Sequence, residues 1–394
     1  MMKTKILNHS IYIHVPFCIH RCAYCDFNTY AKQEILLPAY IDALCREIYW
    51  LSERAPQRLP VHTIFFGGGT PSLLSTPQFD AILKAVKQNY DLLPQAEISL
   101  EANPGTVTLQ SLRDLRSLGF NRISLGVQSA HPEELLQLER IHDYYDVINA
   151  VTWARLAGFD NLNLDLIFGL PEQSLRRWQE TIQLILSLHP KHLSLYGLTL
   201  EHGTPFGRWA QRGLLPVPNP DAAADMYEWA SEVLEMAGYQ QYEISNWAKP
   251  GRECLHNLQT WRGKPYLGFG AGAHGCANGM RISNVLRIKT YIEHLQPDRL
   301  SEKKPFPLSP ATSHQINLSV QDEMQETMLT GLRLTKEGVN AESFLDRFGV
   351  QMQDVFAGEI KELIELDLLE WASPILRLTK RGRLLGNRVF IRFV

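Results

Sequence analysis

The chain has 394 residues, 45% of them hydrophobic and 21% charged, with 39 Lys and Arg against 42 Asp and Glu for a formal net charge of −3. That composition describes two or three packed domains and excludes a disordered or low-complexity scaffold. The balanced charge offers no basic field for nucleic acid, and the one basic run, Thr379-Lys380-Arg381-Gly382-Arg383, reads as a solvated face. Residues 1–10 lack the apolar core of a secretory leader, and no stretch approaches the roughly 18 apolar residues of a membrane span. The chain is therefore expected in the cytoplasm, where its six cysteines are not a disulfide framework.

The first 200 residues repeat one rhythm of a short β-branched run, a turn, and a helix-length amphipathic segment. Strands are predicted at residues 11–17, 62–66, 97–100, 122–128, 161–168 and 192–198. Helices follow at 37–52, 77–90, 109–118, 132–158 (as two), 174–188 and 221–237. Strands separated by helices pair in parallel with right-handed crossovers. Polar side chains alternate along Leu162-Asn163-Leu164-Asp165-Leu166, as in a barrel lumen used for binding. Six units fall short of a closed eight-stranded barrel, so an α/β fold with a partial (β/α)6 TIM-like barrel is expected over residues 8–245, with a doubly wound sheet as the alternative. Residues 246–305 read as a junction of Gly- and Trp-containing loops ending in a Pro-rich linker. Residues 306–394 read as a smaller α+β domain of winged-helix type, with helices at 321–334 and 341–348 and a hairpin through Leu369 and Leu376.

Cys18, Cys22 and Cys25 follow directly on the first strand, at the mouth where a parallel barrel assembles its site. Three close thiolates can each hold one iron of a [4Fe–4S] cube and leave the fourth iron open to an exchangeable ligand. A zinc site completed by His20 or His14 is the alternative. Gly67-Gly68-Gly69-Thr70-Pro71 ends the second strand and lacks the Gly-Lys-Ser/Thr of a phosphate loop; alone it reads equally as a tight turn.

The C-x3-C-x2-C spacing resembles that of the radical S-adenosylmethionine (SAM) enzymes. The resemblance implies that SAM chelates the open iron and is cleaved by the reduced cluster to a 5′-deoxyadenosyl radical. It implies an aromatic residue at Tyr24 and a SAM-binding role for Gly68, Gly69 and Thr70. By the same likeness Glu101, Gln128 and Asp165 match SAM-contacting positions at later strand ends, and Arg140 matches the arginine that pairs with the SAM carboxylate. Tyr12 matches a tyrosine packed near the methionine portion. Taken singly, these residues read equally well as satisfied buried polar groups, a solvated arginine and a core tyrosine.

Further runs, Tyr12-Ile13-His14-Val15-Pro16-Phe17-Cys18, Asp165-Leu166-Ile167-Phe168-Gly169-Leu170-Pro171 and Glu201-His202-Gly203-Thr204-Pro205, resemble the group of oxygen-independent coproporphyrinogen III dehydrogenases (HemN) and their haem-chaperone relatives (HemW). The dehydrogenases carry a fourth cysteine two residues past the third, where this chain has Phe27, and an extension before the first strand, where it has ten residues. The chaperones carry H-N-x-x-Y-W, matched here by His256-Asn257-Leu258-Gln259-Thr260-Trp261 except for Thr260. The resemblance thus implies a chaperone that binds haem, a [4Fe–4S] cluster and SAM and hands haem to an apo-haemoprotein. Coproporphyrinogen dehydrogenase activity is not expected but stands as the alternative; a zinc-stabilised, DNA-contacting regulator is disfavoured by the charge balance. His256 is the candidate axial ligand and Trp261 a candidate to stack on the porphyrin, each reading equally as a packed core residue. Cys254 and Cys276 would supply a thiolate or a covalent link if they are not simply buried. A flavodoxin or ferredoxin reductant, and transient membrane contact with the acceptor, complete the implied partners.

Overall fold

The computed structural model describes residues 7–300 and 303–394. By its contacts the chain divides into two units, Met1–Ala230 with Pro265–Ile316, and Ser231–Lys264 with Asn317–Val394. Residues 246–305, read from sequence as a junction, are thus shared between them.

The first unit is built on six strands, β1 (His9–Val15), β2 (Pro60–Gly68), β3 (Asp91–Ala102), β4 (Arg122–Gln128), β5 (Asn161–Phe168) and β6 (His192–Gly197). They lie side by side in chain order and every neighbouring pair is parallel. A doubly wound sheet would reverse its strand order within these β/α units; the six keep chain order from one side to the other, which is the order of a partial barrel. A seventh parallel strand, β7 (Tyr266–Phe269), pairs with β1 on its other side and continues into the antiparallel pair His274–Ala277 and Met280–Asn284. In sequence this stretch reads as loop, because glycines obscure the strand pattern. A Cβ at Gly268 would collide with the His274 carbonyl, so the close approach of the two strands itself demands glycine.

Helices α1 (Leu37–Ser52), α2 (Thr76–Asn89), α3 (Leu109–Leu118), α4 (Pro132–Gln137), α5 (Tyr144–Leu156) and α6 (Leu175–Ser187) connect the strands. Their starts are set by polar caps: Ser75 with Gln78, Thr108 with Ser111, Asp143 with Asp146, and Ser174 alone. Leu37, Ile41, Leu44, Ile48 and Leu51 form the buried stripe of α1. Along β1, Ile11, Ile13 and Val15 are fully buried, while Ser10, Tyr12 and His14 occupy the alternate face and make the polar contacts.

The Pro-rich stretch from Pro297 to Pro310, which reads as a linker in sequence, packs at its end on the same unit. Leu308 and Ser309 are buried, and the Ser309 hydroxyl donates to Glu47 of α1 at 2.6 Å.

The second unit combines the hairpin Gln240–Glu243 and Asn246–Ala248, the helix Leu255–Trp261, and the expected C-terminal fold. That fold has helices Val320–Gly331, Ala341–Phe348 and Ala357–Glu365 over a three-stranded sheet of Val339–Asn340, Ile375–Leu378 and Leu369–Ala372. Met328, Phe344, Met352, Phe356 and Leu376 centre its core. Among the described residues no helix is long and apolar enough to cross a membrane.

Candidate functional site

From β1 the chain enters a two-residue parallel bridge, Phe17–Cys18 against Tyr30–Ala31, which ties together the two ends of the loop carrying Cys22 and Cys25. A turn closed by Cys25 N–H to the Cys22 carbonyl (3.1 Å) brings the second and third cysteines round. The glycine-rich end of β2 is stitched to the start of the loop: Gly69 N–H donates to the Val15 carbonyl at 2.9 Å and Thr70 N–H to the Phe17 carbonyl at 2.8 Å. A Cβ on Gly69 would lie 2.6 Å from the Phe17 oxygen and 3.0 Å from the Cys18 Sγ, so the two segments meet with no room for a side chain.

Burial pushes the Cys18 and Cys25 thiols up, favouring the neutral form in the free chain. Among the described residues no three His, Cys, Asp or Glu side chains are already gathered as a metal site. The two histidines considered for zinc are both engaged elsewhere. His14 Nε2 donates to the Asn28 carbonyl (3.0 Å) and its Nδ1 accepts from the Tyr12 hydroxyl (3.1 Å), while His20 pairs with Glu139 at 3.1 Å.

A run of hydrogen bonds joins two of the cysteine sulfurs. Thr70 Oγ1 donates to Cys18 Sγ at 3.5 Å and accepts from Asn103 Nδ2 at 3.1 Å. Arg140 donates through Nη2 to Asn103 Oδ1 at 2.6 Å and to the Gly126 carbonyl at 2.8 Å, and through Nη1 to Cys22 Sγ at 3.5 Å. Arg140 Nε is buried and has no hydrogen-bond partner among the described residues. The Tyr24 phenol interacts with the same guanidinium, and a buried guanidinium N–H without an acceptor is costly, so the chemistry of this group fits an anion such as an amino-acid carboxylate. Cys22, Thr70, Asn103, Thr106 and Arg140 line one pocket. Sulfurs that already accept hydrogen bonds suit thiolates bound to iron, so these residues fit a three-cysteine cluster with SAM on its open iron.

The other SAM candidates lie on successive strand ends. Glu101 accepts from Gly68 N–H at 3.1 Å; burial and the neighbouring Asp165 carboxylate push it up to about 7. Asp165 is raised by burial and held by Ser124 Oγ and Asn163 Nδ2, each at 2.7 Å. Gln128 follows a register shift in β4 and has φ 69°, a left-handed conformation that a non-glycine residue adopts only where its surroundings impose it. Tyr12 stacks on Phe65 with ring centres 6.3 Å apart. Tyr24 packs edge-on to Phe206, beside the cluster of Ala23, Leu138, Ile167 and Leu170, and burial raises its phenol against the nearby Arg140 charge.

The haem candidates fall in the second unit. His256 is buried on the helix Leu255–Trp261, whose N-cap Cys254 is fully buried. Trp261 packs with Tyr242, Ala248, Leu258 and Leu334, and the Arg333 guanidinium lies 4.4 Å above its ring, so one indole face is covered. Its Nε1 is buried and finds no hydrogen-bond partner among the described residues. Cys276 lies in the first unit, so the two spare cysteines do not share one.

Asn103 stands in a sequence motif that assigns it no task, and no sequence signal marks Ser124, which donates to Asp165, or Ser194, which accepts from Asn163 at 2.9 Å. The polar alternation of β5 signalled Asn163 and Asp165 together; nothing local singles out an asparagine that joins two side chains 33 and 37 positions away.

The model of the radical SAM superfamily matches residues 12–185, and that of the HemN C-terminal domain residues 318–385. The chain is 39% identical over 389 residues to the "Heme chaperone HemW" of Bacillus subtilis (strain 168), spanning 98% of this chain and 99% of that protein. It is 37% identical over 387 residues to the protein of the same name from Escherichia coli (strain K12), with 98% of each covered. In structure it is similar to the coproporphyrinogen III oxidase HemN of Escherichia coli, a radical SAM enzyme, with a TM-score of 0.82 and 26% identity over 98% of this chain and 90% of that one.

Proposed function

The chain belongs to the HemW family of the radical SAM superfamily, and from that premise we propose that it is a haem chaperone that binds a [4Fe–4S] cluster, SAM and haem and delivers haem to an apo-haemoprotein in the cytoplasm. Cys18, Cys22 and Cys25 would hold three irons of the cluster. With SAM bound, such a cluster supplies one-electron chemistry on the SAM sulfonium. The chain's own residues do the binding and orienting. Arg140 presents Nε to the SAM carboxylate, and Thr70 and Arg140 donate to two cysteine sulfurs. Asp165, fixed by Ser124 and Asn163, offers its carboxylate to a ribose diol, and Glu101 beside Gly68 attracts the sulfonium when ionised. A flavodoxin or ferredoxin would reduce the cluster.

The observation that carries the cofactor reading is the buried, unpartnered Arg140 Nε beside a cysteine sulfur. For the choice of branch, support comes from Phe27, 68% exposed at the position where a fourth cysteine would stand, and from higher identity to the named chaperones than to HemN. The high structural similarity to HemN keeps coproporphyrinogen dehydrogenation as the second reading. One anaerobic preparation tests both. Reconstituted protein should show thiolate-to-iron absorption that Cys22→Ala removes, should bind haem, and should leave coproporphyrinogen III unchanged in the presence of SAM and a reductant. Decarboxylated product would replace the chaperone reading with the enzyme.

A further inference from the structure

We propose that Asn103 is a positioning residue that aims the Thr70 hydroxyl and the Arg140 guanidinium at the two cysteine sulfurs, and through them tunes the cluster and the SAM site. The inference rests on the cluster and SAM reading above.

The polarity of the bridge follows from hydrogen-bond chemistry. A guanidinium only donates, so the Asn103 atom 2.6 Å from Arg140 Nη2 must be the carbonyl oxygen. The amide nitrogen is thereby turned to Thr70, 3.1 Å away, and Thr70 Oγ1 must accept from it. Thr70 has one proton, and the remaining neighbour is Cys18 Sγ at 3.5 Å. The direction of donation thus runs from Arg140 through Asn103 and Thr70 to Cys18, while Nη1 of the same arginine donates to Cys22. Asn103 is itself held still: its backbone carbonyl accepts from Thr106 N–H at 2.9 Å and from Thr106 Oγ1 at 2.8 Å, and the threonine hydroxyl accepts from Ser72 at 2.6 Å. Hydrogen bonds to cluster sulfurs favour the more negative, reduced form and so raise the reduction potential. Asn103 thus engages both donors, Arg140 being held also by the Gly126 carbonyl at 2.8 Å, and makes no hydrogen bond of its own to either sulfur.

Asn103→Asp keeps the shape but reverses one half of the bridge. A carboxylate accepts from Arg140 and from Thr70, so the Thr70 proton turns away from Cys18, and Arg140 is partly neutralised. The expected result is a more negative cluster potential in EPR-monitored redox titration and SAM binding weakened about tenfold, the scale of one lost charge-assisted hydrogen bond. Added charge alone would also lower the potential, so Thr70→Val and the double variant are measured alongside. If Asn103 acts through Thr70, most of the shift caused by aspartate disappears in the Thr70→Val background. A shift of undiminished size there overturns the proposal. Asn103→Ala, which removes the bridge without adding charge, should keep wild-type iron and sulfide content while losing SAM affinity several-fold; unchanged affinity and potential overturn it as well. A wild-type protein that assembles no cluster, or whose reduced EPR spectrum ignores SAM, defeats the proposed function together with the bridge. A wild type that does both, beside variants indistinguishable from it, defeats the bridge alone.

Discussion

At Gly69 the backbone passes so near the cysteine loop that a single methyl group decides whether Cys18 keeps its place. The Phe17 and Val15 carbonyls would stand 2.6 and 2.9 Å from the new Cβ, and Cys18 Sγ 3.0 Å away. Backbone carbonyls cannot swing aside as a side-chain end can, so Gly69→Ala must separate the β2 end from the loop. Anaerobic reconstitution of that variant is expected to yield well under half the wild-type iron content although all three cysteines remain; full cluster loading would refute it. His142 makes a different prediction. It is 3% exposed, its Nε2 donates to the Val127 carbonyl at 3.1 Å, and burial followed by the Arg140 charge lowers it to about 4, against the opposing Asp143 and Asp146. The unfolded chain binds this proton first, so the stability contributed by the neutral ring is whole above the unfolded value of 6.5 and is lost as pH falls towards 4. Between neutral pH and about pH 5 this amounts to about 2 kcal/mol, which denaturant unfolding of wild type against His142→Leu would isolate as a steeper loss in the wild type. The glycine run before Thr70 is legible locally and Arg140 only through the family resemblance, whereas the bridging position of Asn103 shows only when residues 33 and 37 positions apart are brought together by the fold.

Among the elements, α1 shows how a fold can be legible in its parts and opaque in its joints. Its apolar spacing defines the helix in sequence, but Glu47 on the buried side contradicts the stripe. The structure resolves the contradiction. Glu47, 1% exposed, accepts from Gly270 N–H at 2.9 Å, Asn284 Nδ2 at 2.8 Å, and the Tyr291 and Ser309 hydroxyls at 2.6 Å each. One carboxylate thus fastens the segment from β7 to Ser309 onto the barrel helix, which is why a Pro-rich stretch that looks like a linker is packed. Glu47→Ala would bury several donors without an acceptor, at a cost of about 3 kcal/mol or more. Thermal unfolding should shift down by roughly 5–10 °C, and Glu47→Gln, which preserves shape and part of the acceptor capacity, by clearly less. Equal stability of the alanine variant and the wild type would mean that the carboxylate ties nothing down. The strands β1 to β6 were readable because each alternates or runs apolar between turns. β7 and the two strands after it were not, because their glycines serve close approach between backbones, which leaves no hydrophobic period.

On the scale of the whole molecule, the candidate chemistry is divided. The cluster cysteines, Thr70, Arg140, Glu101 and Asp165 all belong to the first unit, and His256 and Trp261 to the second. The family resemblance named both sets as candidates; the division did not show in sequence, since the two units interleave along the chain with limits at Ala230, Lys264 and Ile316. The division has a functional consequence. If His256 binds haem with groups of its own unit, ligation needs no thiolate from Cys18, Cys22 or Cys25, and the two cofactors should be separable by mutation. A variant with all three cysteines changed to alanine is expected to lose the iron–sulfur absorption and every SAM-dependent spectral change while binding haem with the wild-type Soret band. His256→Ala should do the reverse, with full iron and sulfide content and a haem complex whose Soret position moves or whose affinity falls by at least about tenfold, the loss of a metal–imidazole bond being worth more than 1.4 kcal/mol. Two outcomes would count against this separation. Loss of haem binding in the triple-cysteine variant would make a cluster cysteine or the cluster itself part of the haem site, and an unaltered Soret band in His256→Ala would remove the histidine as ligand and return it to the packed interior of its helix.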